Sequence, residues 1–249
     1  GYTSLWTGTN GWRMEDFIFK GETGNTITPW HPDAPENWLD DKPELFVIDA
    51  DMYMKGLLDT KTFLKSVLDK EVGLRTGKPL SHVCVFEIPG INRLLFLSDV
   101  AFIPYPTLED KVNIIENTVE ICHACGIANP KVAPLAAVEV VNPKMPVTVE
   151  AAELTKMNDE GKITGCIVDG PLSLDLAIDP EAAKHKGALD RKIQGDADVI
   201  LFPDIHTGNL VYKAVVRVEG VKNGCILTGT QVPCILTSRS DTFETKVNS

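Results

Sequence analysis

The feature that most constrains the fold is a repeated alternation between short, evenly apolar runs and longer amphipathic stretches. From Leu45 onward, runs rich in β-branched residues occur at positions 45–48, 82–88, 94–97, 131–135, 166–168, 199–202, 225–227 and 234–236. They are too short and too uniformly apolar for half-exposed strands, which predicts strands buried on both faces. The clearest amphipathic stretch covers 108–125, where Val112, Ile115, Val119 and Cys122 share a helical face. Thr107 with Asp110 supplies a capping box at its start, and Gly126 supplies a stop. Further helices are expected at 60–68, 148–158, 180–186 and 208–218. Strands alternating with helices predict an α/β protein with a mainly parallel sheet. One antiparallel hairpin is expected where Pro89-Gly90-Ile91-Asn92 joins two apolar runs.

Residues 1–44 differ. They hold all four tryptophans and no cysteine, with scattered glycine and proline, and sustain neither helical nor strand periodicity apart from Asp16-Phe17-Ile18-Phe19. A loop-rich segment with one short strand is expected there, followed by α/β domains over 45–135 and 136–249.

Composition narrows the function. A chain with 43% hydrophobic and 24% charged residues and mean hydropathy −0.01 is globular rather than disordered. Its net charge of −11 repels phosphate backbones and anionic bilayers, which argues against nucleic-acid or membrane partners. Residues 1–44 carry −5 of that charge, so the remainder is only mildly acidic and leaves room for local anion sites. No apolar run approaches the ~18 residues of a membrane span, and no signal segment opens the chain. The six cysteines mostly sit inside apolar runs, as expected of buried thiols in a reducing, cytoplasmic setting.

In open α/β sheets, ligands gather at the carboxyl ends of strands. Polar or glycine-containing sequence follows four of the apolar runs: Met54-Lys55-Gly56-Leu57, Asp169-Gly170-Pro171, Pro203 to Asn209, and Thr237-Ser238-Arg239-Ser240-Asp241. The last is the richest. Arg239 suits two-pronged contact with a phosphate, Ser238 can donate to an oxyanion, and Asp241 can accept a proton. Capping of a following helix by Ser238 or Asp241 explains the same residues. At 203–209, Gly208 permits close backbone approach and the helix start favours anions. An ordinary joint capped by Thr207 is the alternative. Lys55 and the Arg75–Lys78 turn offer cations that also suit a solvated surface. Cys122-His123-Ala124-Cys125 has no second cysteine pair at zinc spacing, so packing within a helix explains it best, and no metal site is expected. GxGxxG, GxSxG, HExxH and P-loop signatures are absent.

Taken in order, several motifs resemble the phosphate acetyl/butyryl-transferase family, its butyryl branch in particular. They are Met54-Lys55-Gly56, Leu74-Arg75-Thr76-Gly77, Leu80-Ser81-His82-Val83, the stretch 137–146, Val168 to Leu172, 181–187, Gly195 to Asp198, Gly208-Asn209 and Leu236 to Asp241. The resemblance runs from about Asp51 to Ser249. It implies two α/β/α domains around a cleft, as in isocitrate and isopropylmalate dehydrogenases. It also implies exchange of a short acyl group between coenzyme A and inorganic phosphate, without metal or prosthetic group. By that resemblance Asp241 activates the thiol, Arg239 holds phosphate and Ser238 stabilises the transition state. Lys55, Arg75, Ser81, His82, Asp204, Gly208, Asn209 and Lys213 are the expected substrate contacts. A homodimer or larger homo-oligomer is implied. Phosphate acetyltransferase and a non-catalytic coenzyme A-binding relative are the competing readings. Residues 1–44 do not resemble the β/α units that precede Met54-Lys55-Gly56 in the family, Gln231 stands where lysine is frequent, and a last helix is expected to be incomplete at Ser249.

Overall fold

A computed structural model describes residues 19–20, 26–27, 45–49, 52–55, 60–70, 73–238, 241–242, 245 and 248–249. The chain divides into two compact units, residues 1–76 with 230–243 and residues 77–229 with 244–249. The first unit contains β1 (Phe19–Lys20), β2 (Thr26–Ile27), β3 (Leu45–Asp49), β4 (Met52–Lys55) and α1 (Thr60–Val67). The second contains β5 (Ser81–Glu87), β6 (Leu94–Ser98), α2 (Leu108–Ala124), β7 (Lys131–Pro134), α3 (Pro146–Asp159) and β8 (Ile167–Val168). It continues with α4 (Leu174–Ile178), α5 (Pro180–His185), β9 (Val199–Leu201), α6 (Ile205–Val215) and β10 (Lys222–Thr228). β11 (Cys234–Ile235) belongs to the first unit again.

In the first unit, β3 pairs antiparallel with β4, Phe46 opposite Met54, and β4 pairs in parallel with β11, Tyr53 beside Cys234. The segment read from sequence as a loop beyond the opening strand is therefore partly strand: Lys55 ends β4, opposite Leu45. β1 and β2 form a two-stranded antiparallel ladder. Most of the tryptophan-rich segment otherwise lies outside the described residues.

The sheet of the second unit runs β10-β5-β6-β9-β7-β8. β6, β9, β7 and β8 are parallel, whereas β5 is antiparallel to both β6 and β10. The sheet is thus mixed rather than simply parallel, and β5 alone opposes the other five directions. The short turn at 88–93 forces that reversal, because only a long crossover can return a chain parallel to itself. The expected hairpin forms here, with Cys84 opposite Leu97.

Burial on both faces explains the uniformly apolar strands. Val83, Phe96, Val132 and Val199 face one layer with Ile114 and Ile115 of α2 and Leu154 of α3. Cys84, Phe86, Leu97 and Ile200 face the other, with Leu176 of α4, Ala183 of α5 and Tyr212 of α6. Burying a side chain the size of Phe86 or Phe96 contributes ~2–3 kcal/mol. This α/β/α sandwich holds its parallel strand ends at one edge.

Helix α2 starts as its sequence predicts. The Asp110 amide donates to Thr107 Oγ1 at 3.1 Å, and the Thr107 amide donates to the Asp110 carboxylate at 2.8 Å. At its end, Gly126 takes φ +86° while the Gly126 and Ile127 amides donate to His123 and Cys122, the Schellman arrangement. α3 starts two residues earlier than expected, with Pro146 in its first turn. Among the described residues, no helix is long and apolar enough to cross a membrane.

Candidate active site

The carboxyl ends of β6, β9, β7, β8 and β10 share one edge of the larger sheet with the amino end of β5, because β5 runs in the opposite direction. Ser81 and Thr228 are directly opposed there. Their hydroxyls are 3.0 Å apart, and Asn117 of α2 donates to the Ser81 hydroxyl at 3.0 Å. Ser81 is fully buried. The result is a connected hydroxyl and amide network, the satisfied form that a buried polar group requires.

Beside it, His82 is buried at the start of β5, and Asp99 is buried just past the end of β6. Asp99 Oδ1 accepts the amides of Ala101 and Phe102 at 2.8 and 2.9 Å, and Oδ2 accepts that of Ile103 at 3.0 Å. Burial pushes its carboxyl above the ordinary aspartate range; the Ala101 amide, the charge of His82 and the next two amides oppose that rise. Asp99 thus combines a proton-holding tendency with a fixed orientation at a strand exit.

The start of α6 seats against this turn. Asp204 is its N-cap: Oδ1 accepts the Thr207 amide at 2.9 Å and the Thr207 hydroxyl at 3.2 Å. The helix therefore begins at Ile205 and not at Gly208, with Asp204 rather than Thr207 as the cap. A Cβ on Gly208 would stand 2.4 Å from the Asp99 carbonyl oxygen. Asn209 donates its side-chain amide to the Val100 carbonyl at 3.0 Å. Ser81, His82, Asp204, Gly208 and Asn209 thus converge on one region with Asp99, Asn117 and Thr228. Lys213 lies apart from it, about 12 Å along the helix axis from Ile205 at 1.5 Å per residue, with its ammonium 5.2 Å from the Tyr212 ring centre.

Two further exits are held by ion pairs. Asp169 meets Arg191 through both carboxylate oxygens, at 2.9 and 3.2 Å, and accepts the Ile193 amide. Lys186 donates to Glu139 at 2.9 Å, to Ser173 at 2.8 Å and to Asp175 at 3.0 Å. Hydrogen bonds from Ser173 and then Lys186 hold Glu139 below the usual carboxylate range and bring Asp175 to about 2.

In the first unit, Asp241 closes a tight turn on Ser238. Its carboxylate accepts the Ser238 amide at 2.6 Å, and its amide donates to the Ser238 carbonyl at 3.1 Å. Thr237 is buried, and its hydroxyl has no hydrogen-bond partner among the described residues. Arg239 and Ser240 lie outside the described residues. Arg75 is exposed and bridges Thr230, with its carbonyl accepting from Gln231 at 3.1 Å. The Lys55 side chain also lies outside what is described.

Of the 122–125 cysteine pair, Cys122 is buried and Cys125 exposed. Burial raises both thiols, as packing rather than reactivity would have it. Sequence reasoning missed Asp99, Asn117 and Thr228. Asp99 had a signal, a carboxylate two positions past the apolar run 94–97; the other two meet Ser81 only through tertiary pairing.

A mixed α/β sandwich with polar side chains gathered at its strand exits belongs to the open-sheet class, in which strand exits are where ligands sit. Residues 47–249 match the model of the phosphate acetyl/butaryl transferase family. The chain belongs to that family. It is 59% identical over 200 residues to phosphate butyryltransferase of Clostridium acetobutylicum, covering 80% of this chain and 66% of that protein. It is 47% identical over 201 residues to phosphate acetyltransferase of Thermotoga maritima, covering 81% and 68%. The crystal structure of a branched-chain phosphotransacylase from Enterococcus faecalis V583 superposes with a TM-score of 0.73 at 40% identity, covering 80% of this chain and 71% of the other. The chain thus spans just under two thirds of the length of the Clostridium relative.

Proposed function

We propose that this chain transfers a short acyl group between coenzyme A and inorganic phosphate: acyl-CoA and phosphate give acyl phosphate and coenzyme A. The observation that carries the reading is the 59% identity to a phosphate butyryltransferase over 200 residues, which favours butyryl or a chain of similar length. In the direction of thioester synthesis, the coenzyme A thiolate attacks the acyl-phosphate carbonyl, a carbon–sulfur bond forms, and phosphate leaves with the carbon–oxygen bonding pair.

In this reading Asp241 takes the thiol proton, Arg239 holds the departing phosphate and Ser238 donates to the carbonyl oxygen. The 2.6 Å bond from the Ser238 amide to the Asp241 carboxylate supports placing those two side by side. It serves the bland capping role equally, so the assignment rests on the family motif. Lys55, Arg75, Ser81, His82, Asp204, Gly208, Asn209 and Lys213 are proposed as substrate contacts. Asp204 Oδ1 already accepts the Thr207 amide, and Lys213 lies about 12 Å further along the same helix. Coenzyme A acts as a substrate, and no cofactor or metal enters the reaction. The reading carries with it two α/β/α domains of the isocitrate and isopropylmalate dehydrogenase kind, a cytoplasmic homo-oligomer, and no nucleic-acid or membrane partner.

The 47% identity to a phosphate acetyltransferase supports a second reading, with acetyl-CoA as substrate. Thiol release from acetyl-, butyryl- and longer acyl-CoA, each with and without phosphate, separates the two. Faster phosphate-dependent release from butyryl-CoA supports the first reading. Faster release from acetyl-CoA replaces it with the second. Coenzyme A binding without turnover would leave only a binding relative.

A further inference from the structure

The proposed transfer makes no use of two cysteines near the middle of the β5–β10 ladder. Cys84 and Cys225 are directly opposed in its antiparallel register, although 141 residues separate them in sequence. Their sulfurs are 3.0 Å apart, and both residues are buried. Directly opposed residues in such a ladder hold their Cα atoms about 4.5–5.5 Å apart, inside the roughly 4.4–6.8 Å range that a disulfide spans. Closing the bond therefore needs the sulfurs to approach by about 1 Å, with little backbone movement.

One partner has a base beside it. His82 lies two residues before Cys84 on the same strand face, with Nδ1 3.5 Å from the Cys84 sulfur. An imidazole there can take the thiol proton and leave the reactive thiolate. Around Cys225, the sulfur accepts from the Asn223 amide at 3.8 Å and contacts the Tyr212 hydroxyl at 3.9 Å.

We propose that Cys84 and Cys225 are a reversible redox pair, closed to a cross-strand disulfide by small hydroperoxides. Burial of both thiols selects hydrogen peroxide over a bulky disulfide as oxidant. The Cys84 thiolate attacks one peroxide oxygen, the O–O bond breaks, and the departing hydroxide takes the proton held by His82, leaving Cys84 sulfenic acid and water. Cys225 then attacks the sulfenic sulfur. The S–O bond breaks, and hydroxide leaves as water with the Cys225 proton. Two thiols lose two electrons and two protons, and one peroxide becomes two waters.

A metal site is the competing use of the same residues, since the His82 nitrogen and the two sulfurs all lie within 4.8 Å of one another. Two thiolates at about 2.3 Å from one tetrahedral zinc stand about 3.8 Å apart. The 3.0 Å separation falls well inside that and on the way to a disulfide.

The test treats the whole chain with hydrogen peroxide, alkylates free thiols, digests without reductant and maps linked peptides by mass spectrometry. A peptide carrying Cys84 joined to one carrying Cys225, absent before treatment and lost on adding dithiothreitol, is expected. Separate recovery of both as alkylated thiols, while exposed Cys125 is oxidised, overturns the proposal. In Cys225→Ala, treated with peroxide and then denatured in the presence of dimedone, an adduct at Cys84 is expected, and its absence overturns the order of attack. Zinc that copurifies at one ion per chain and is lost from Cys84→Ala would make the cluster a metal site and overturn the redox reading. None of these measurements depends on acyl transfer.

Discussion

Replacing Gly208 with alanine tests how the candidate site is built. The added Cβ would lie 2.4 Å from the Asp99 carbonyl oxygen, 3.1 Å from Phe202 Cδ2 and 3.2 Å from Val100 Cα. Two of these three are backbone atoms, so relief requires the start of α6 to move by about 1 Å, and such overpacking costs ~1–3 kcal/mol. That movement also stretches the Asn209 bond to the Val100 carbonyl, worth about 1 kcal/mol. Against both stands the helix propensity of alanine over glycine, a gain of ~1 kcal/mol. The balance is a loss of about 2 kcal/mol. At roughly 2–4 °C per kcal/mol for a chain of this size, the unfolding midpoint falls by about 4–8 °C. Thermal unfolding followed by circular dichroism reads this directly, wild type beside variant. An unchanged or raised midpoint would mean that propensity prevails, and would refute the seating of α6 on the Asp99 turn.

Asp204→Ala removes the acceptor of the Thr207 amide and should cost about 1 kcal/mol of stability in denaturant titration; no change would return the cap to Thr207. Arg239→Ala should raise the phosphate requirement and slow turnover by on the order of 10²–10³, whereas Cys122→Ala should leave turnover intact. Equal activity of the Arg239 variant would remove that residue from the mechanism. The depressed pKa values of Asp175 and Glu139 set an acid-side dependence. A carboxylate held low in the folded state adds stability above its unfolded pKa of about 4. That stability is lost as pH falls toward 2, the folded value of Asp175. Asp175 is exposed and the Glu139 side chain is half-buried, so solvent screening keeps the effect small. In Lys186→Ala the midpoint should fall less between pH 4 and 2 than in wild type, and parallel curves would dismiss the Lys186 contribution.

The parts legible in the sequence were those governed by neighbours along the chain. The α2 capping box needs only Thr107 and Asp110, the β5–β6 hairpin only its turn, and burial of strands on both faces only the absence of polar alternation. Pairings across the chain were not legible. β10 docks antiparallel beside β5, at a separation of 141 residues at the Cys84–Cys225 pair, and no local signal announces that pairing. α4 has five residues, too few to show a helical period. Asp204 and Thr207 are both good caps, and only geometry chooses between them. In the candidate site, the motif residues stood out by chemistry. Asn117 and Thr228 did not, because their role comes from meeting Ser81 in space.

Coenzyme A release from butyryl-CoA by this chain, measured as phosphate is varied, tests the proposed transfer of a short acyl group to phosphate. Release that rises with phosphate and vanishes without it, accompanied by butyryl phosphate in equal amount, is the predicted result. Release independent of phosphate, or none with any short acyl-CoA, would contradict it.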